Sequence, residues 1–285
     1  METENWYVEH KSGIMRQVRF VLRHYRKHFM EAYGKQEGEA IASESLQRFE
    51  ALLPDLPYIG GDENRYTRHL YLTAAMLAVY RSMQARGATV EEAARLIYLG
   101  TASFFNSFPT RWLMRWQGRR MLGPKRMERL RRDAARSQER RYPDDFVYEW
   151  VEGDGHDFEV GMDITECGVV KYLEREGAPE LASYGCWVDY PQFAAMGLRL
   201  ERTETLAQGR QRCDVPVRRG TPVHVEPEFL HVLADCSRLT GPATRKERWR
   251  CSVSVVRSVS RHPSSTCGRS TATRRGGRSS SPAPG

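Results

Sequence analysis

Outside its C-terminal stretch, the side chains of this sequence that can act as nucleophiles, acids or bases gather between Glu152 and Gly220. Glu166-Cys167 stands near the start of that stretch, Cys186 and Asp189 in its middle, and Cys213-Asp214 near its end. Carboxylates in such a set can hold an amidine-like nitrogen pair or take a proton from attacking water. Glu166, Asp189 and Asp214 are the candidates for both tasks. A thiol, Cys167 or Cys213, can instead attack an electrophilic carbon as thiolate. Each of these two thiols stands beside an acid, and a neighbouring carboxylate raises a thiol pKa. Adjacent strand residues also point to opposite faces, so Cys213 and Asp214 are not expected to face one site together. Buried cysteines serving as small apolar fillers are the alternative for both. Arg202, a forked donor, suits a substrate carboxylate or a surface ion pair. His156, in a glycine-rich turn beside Asp157, can protonate a leaving sulfur near neutral pH, although an exposed turn residue is its plainer reading. Tyr190 joins Arg202 and His156 as a substrate-binding candidate. Convergence of His156, Cys167, Cys186 and Cys213 on zinc lacks the close-spaced ligand pairs of such sites, and no metal or other cofactor is expected.

The elements that must position these groups fall into two kinds. From Gly13 to Tyr33, Ile14, Val18, Val21, Tyr25 and Phe29 recur at steps of three and four, one stripe of a helix, with Arg16, Arg19, Arg23, Arg26 and Lys27 largely off it. A second helix over Glu37 to Leu53 stops before Pro54 and Pro57, and a turn at Ile59 to Asp62 leads to a long helix through about Arg86. Gly87 ends that helix, and Thr89-Val90-Glu91-Glu92 is a capping box that starts the next, running to about Ser107. Phe104, Phe105, Phe108 and Trp112 at its end read as core or as pocket lining. Between Arg111 and Arg141, twelve basic and three acidic residues surround Met114, Met121, Leu122, Met127 and Leu130. That pattern predicts an amphipathic helical linker with its charges in water, rather than a nucleic-acid surface.

After Tyr142-Pro143 the period changes to two. Phe146 to Val151 and Phe158 to Thr165 predict a hairpin across Glu152-Gly153-Asp154-Gly155. Short helices are expected over Glu166 to Glu176, Pro179 to Tyr184 and Gln192 to Met196, and strands over Leu198 to Leu206 and Arg212 to Arg218. The fold class is therefore α+β: a helical region over residues 1–141, then a small antiparallel-sheet domain with inserted helices over 142–220. Residues 221–285 read as a low-complexity basic tail, disordered by composition.

That tail also accounts for the charge. The formal net charge is +8, and the stretch from Gly241 to Gly285 carries ten Lys and Arg against Glu247 alone. The rest is near neutral and offers no global attraction for polyanions, so nucleic acid is not the expected partner. Six cysteines with irregular spacing call for no disulfide framework. No stretch is apolar enough to span a bilayer, and the first eleven residues lack the apolar run of a signal peptide. The expectation is a cytoplasmic protein that meets a small molecule and no membrane.

Glu152-Gly153-Asp154-Gly155 with Phe158 and Gly161, then Thr165-Glu166-Cys167, Leu181-Ala182, Asp189-Tyr190-Pro191, Glu201-Arg202-Thr203 and Cys213-Asp214, together resemble the L-2-amino-thiazoline-4-carboxylic acid hydrolase family. The resemblance covers roughly Phe146 to Gly220, and the helices from about Gly13 are similar to that family's N-terminal part. It implies hydrolysis of a cyclic isothiourea, opening the thiazoline ring to N-carbamoyl-L-cysteine on a bacterial route to L-cysteine. A small-molecule-binding or sensing module with the same fold and no turnover is the alternative.

Overall fold

The computed structural model describes residues 5–221 and Pro227, all within one compact unit, Met1–Leu239. The expected disorder of residues 221–285 lies almost wholly outside the described residues.

A single-turn helix, α1 (Trp6–Glu9), leads into α2 (Lys11–Tyr33) and α3 (Lys35–Leu52), which pack as a pair. On α2 the stripe Ile14, Val18, Tyr25 and Phe29 is buried, and the arginines off it are exposed. Pro54 lies in a 3-10 turn that closes α3. Gly60 (φ 111°) and Gly61 (φ 55°) reverse the chain where a side chain would strain it, and α4 (Thr67–Gln84) follows. Gly87, at φ 77°, ends this rise with the Ala88 N–H returning to the Met83 carbonyl. Both halves of the predicted capping box form. Thr89 Oγ1 accepts from the Glu92 N–H at 3.3 Å and Glu92 Oε2 from the Thr89 N–H at 2.8 Å, launching α5 (Val90–Asn106).

The basic stretch forms two helices, α6 (Thr110–Met121) and α7 (Pro124–Ser137), each burying a narrow seam: Met114 and Gly118, then Leu130 and Ala134. Its arginines face outward, as the amphipathic pattern predicts. The aromatic cluster departs from expectation. Phe108 is 87 % exposed and Trp112 65 %. The chain turns at Pro109, and the buried seam of α6 carries neither residue, so these rings join no core.

The hairpin is antiparallel, β1 (Val147–Glu152) on β2 (Val160–Glu166), with Glu152 opposite Val160. Then come α8 (Gly168–Arg175), α9 (Glu180–Gly185), α10 (Asp189–Met196), β3 (Leu198–Leu200), β4 (Cys213–Asp214) and β5 (Val217–Arg219). The five-stranded sheet runs β1-β2-β5-β3, with β4 also paired to β2, and every pairing is antiparallel. This is the α+β architecture expected. The long strand predicted over Leu198 to Leu206 is only three residues. Beyond Leu200 the Asp214 carboxylate takes the N–H groups of Thr203 and Glu204 that a ladder would have used. The helical part and the sheet share one hydrophobic core, in which α7 packs on β1, α4 on α8, and α10 on α5, α6 and β3.

Gly100 shows how tightly the helices meet. A Cβ there would run into the ring of Tyr25, whose hydroxyl bonds Thr101 at 2.5 Å. Gly100→Ala should therefore cost about 1–3 kcal/mol of stability by overpacking. Urea unfolding checks this, and an unchanged midpoint would mean that α2 and α5 do not meet this closely.

Candidate functional site

Arg202 is the buried centre of the polar residues in the sheet region. The chain leaves β3 and turns this side chain inward, where it is 7 % exposed. Its Nη2 donates to Asp189 Oδ2 at 2.8 Å, its Nη1 to the Cys186 carbonyl at 3.2 Å and its Nε to the Asp214 carbonyl at 3.2 Å. Burial alone works against the guanidinium charge, but Asp189 and its hydrogen bond outweigh it and hold the pKa above the ordinary value. Asp189, the first residue of α10, is 29 % exposed. Its Oδ1 makes no hydrogen bond among the described residues.

Three thiols lie within electrostatic reach of this pair. Burial pushes Cys167 up to about 11, against the N–H groups of Val170 and Val169 at the start of α8, with Cys213 and Asp189 raising it further. Cys186 is pushed up to about 12 by burial, opposed by Arg202 and reinforced by Asp189. Burial also raises Cys213, whose Sγ accepts from the Leu206 N–H at 3.1 Å. A helix start ordinarily favours the thiolate. Here desolvation wins, and at neutral pH only about one Cys167 thiol in ten thousand would be ionised.

The sequence reading missed His69 and Tyr66. Burial holds the His69 imidazole down to about 4, against the pull of Asp189, with Arg65 and Arg68 lowering it further and the Arg65 carbonyl raising it slightly. Its Nδ1 is sealed from solvent without a hydrogen bond of proper geometry. Tyr66 stacks on Phe146 (centroids 4.2 Å apart), meets His69 edge-on at 5.3 Å, and feels Arg65, Cys167, Asp189 and Asp145. Tyr190 feels Arg202 and Asp189 and lies 5.1 Å from the Trp187 ring. No signal marked His69, because a lone histidine on a helix most often packs in a core.

The other candidates are committed elsewhere. Glu166 is ion-paired to Arg140 and Lys171, and Lys171 also donates to the Pro143 and Asp145 carbonyls. Asp214 clamps the loop, accepting from Thr203 N–H and Oγ1 and from Glu204 N–H at 2.7–2.9 Å. Burial would raise its pKa, but these bonds prevail and lower it. His156 is 91 % exposed beside Asp157, in the β1–β2 turn. Among the described residues no group of three or more His, Cys, Asp or Glu is placed to hold a metal.

A cleft opens beside Tyr66, which feels Asp189, and Asp189 itself does not line it. It is bounded by Asn64, Arg65, Tyr66, Arg136, Asp145 and Tyr148, among others, and its empty space is about 560 Å³ including the open mouth. Charge partners buried in a half-closed α+β framework beside such a cleft are the ordinary furniture of a small-molecule site. The sequence names the kind. Residues 68–216 match the model of the L-2-amino-thiazoline-4-carboxylic acid hydrolase family, and the chain belongs to that family, whose name is that of a hydrolase. No curated protein and no solved structure matches the chain. No helix among the described residues is long and apolar enough to cross a membrane.

His69 gives the site a measurable pH signature. Unfolding returns the imidazole to its ordinary 6.5, so between pH 6.5 and about 4 the unfolded chain binds the extra proton. The folded state should lose on the order of 3 kcal/mol as pH falls through that window. Urea unfolding of wild type and His69→Gln at pH 7, 6, 5 and 4 isolates this contribution. Parallel curves would mean that the imidazole titrates normally in the folded protein.

Proposed function

We propose that this protein opens the ring of L-2-amino-thiazoline-4-carboxylate by adding water, giving N-carbamoyl-L-cysteine. The observation that carries this reading is Asp189: one carboxylate oxygen rests on Arg202, and the other is unbonded beside thiols that burial keeps protonated. Protonated thiols are poor nucleophiles, which favours activated water over a covalent thiol intermediate. With the ring nitrogen protonated, C2 is electrophilic. Water attacks C2 while Asp189 takes one of its protons; the C2–S bond then breaks and Asp189 returns that proton to the departing sulfur. The second water proton leaves to solvent as the carbonyl forms, balancing the one the ring brought. Arg202 orients Asp189 through its Nη2, and neutral His69 adds no competing charge.

The test is to incubate the full-length protein with L-2-amino-thiazoline-4-carboxylate and follow the product by mass. The expected result is a gain of one water by wild type, its loss by a factor of at least about a thousand in Asp189→Asn, and retention in Cys167→Ala and Cys213→Ala. Loss in a cysteine variant that remains folded would move the attack to sulfur. Substrate bound by wild type and recovered unchanged would leave the protein a binding module.

A further inference from the structure

Arg65 precedes α4 at the cleft wall. Among the described residues its guanidinium makes no hydrogen bond and no ion pair, and its Nη1 is sealed from solvent without a partner. The guanidinium lies over the Tyr66 ring, with Cζ 5.1 Å from the centroid. A guanidinium nitrogen sealed from water without a partner is costly, so such an atom is rare unless something else supplies the acceptor. Its surroundings increase that cost. Arg126 is held below the ordinary guanidinium value by partial burial, then by Arg65 and Arg129, with Asp133 opposing. Arg136 lines the same cleft and makes no ion pair among the described residues.

The cleft's acids do not resolve this. Asp145 is already engaged, accepting from Asn64 Nδ2 at 2.7 Å and from the Phe146 N–H at 2.7 Å. Glu63 and Asp133 also line the cleft and make no ion pair among the described residues. The lining therefore offers a forked cation at the wall beside the rings of Tyr66, Phe146 and Tyr148. His69 feels both Arg65 and Asp189.

We propose that this cleft binds the carboxylate of a small heterocyclic acid, with Arg65 as its anchor. Planar, two-point recognition of a carboxylate is what a guanidinium does best. As a substrate site this rests on the hydrolase reading above. As an anion site it does not.

The test measures binding to the full-length protein by titration calorimetry, using 2-aminothiazole-4-carboxylate, an aromatic analogue that has no thiazoline ring to open, and 2-aminothiazole, which lacks the carboxylate. Wild type should bind the acid at least about tenfold more tightly than the amine. Arg65→Gln should erase that ratio without weakening the amine, and Arg65→Lys should restore part of it. Because Arg65 has no hydrogen-bond or ion-pair partner among the described residues to lose, the melting temperature of Arg65→Gln should be unchanged or higher. A purely structural arginine would lower it. Arg65→Gln binding the acid as wild type does, or inorganic phosphate binding wild type more tightly than the acid, overturns the proposal. Turnover of the thiazoline with a KM indifferent to Arg65→Gln overturns it as well. If wild type turns nothing over but binds the acid through Arg65, the hydrolase reading fails and the anion site stands.

Discussion

A guanidinium at 7 % exposure has to be surrounded, and the way Arg202 is surrounded organises the whole site. Its partners come from three places in the chain: the Cys186 carbonyl ahead of α10, the Asp189 carboxylate on its first turn, and the Asp214 carbonyl in β4. None of these segments is long enough to be fixed by its own hydrogen bonding. Removing the charge would leave Asp189 without its counter-ion and two carbonyls without donors, and breaking a buried pair is among the more damaging single changes. The short helix, the irregular loop and the two-residue strand are thus held by one side chain.

The same low-dielectric surroundings decide which groups carry charge. Desolvation drives the thiols and the imidazole toward their neutral forms, in opposite pKa directions but for one reason. Arg202 escapes this because Asp189 and its hydrogen bond favour the guanidinium charge. The result is a charged guanidinium beside neutral thiols and a neutral imidazole, where a developing charge on a bound molecule would be felt strongly.

The helices were legible because their signals are local. The α2 stripe, the Thr89–Glu92 capping box and the glycine stops depend on spacings of a few residues, and the period change after Pro143 marked the hairpin. The strand predicted from Leu198 to Leu206 failed because alternation cannot report that a carboxylate eleven positions away claims the backbone N–H groups. Glu166 was legible as a candidate carboxylate, but spacing along the chain could not show its ion pairs with Arg140 and Lys171. Arg65 and His69 went unseen for the converse reason. What distinguishes them is a missing partner, and spacing along a chain encodes no absence.

The strand β4 is two residues long, and each points its own way. Cys213 faces the core and takes the Leu206 N–H, while Asp214 faces the loop and takes those of Thr203 and Glu204. Sliding a strand by one position exchanges its faces. A single-residue insertion or deletion between Arg212 and Val215 would thus bury a carboxylate, expel a thiol, and release both anchors of the loop together. At Gln208 to Gln211 the chain is exposed, with Gly209 in a left-handed turn at φ 76°, and added length there can loop into solvent. Across the few residues from that tip to Val217, then, tolerance of length change in descendants of this sequence should fall from nearly free to nearly none.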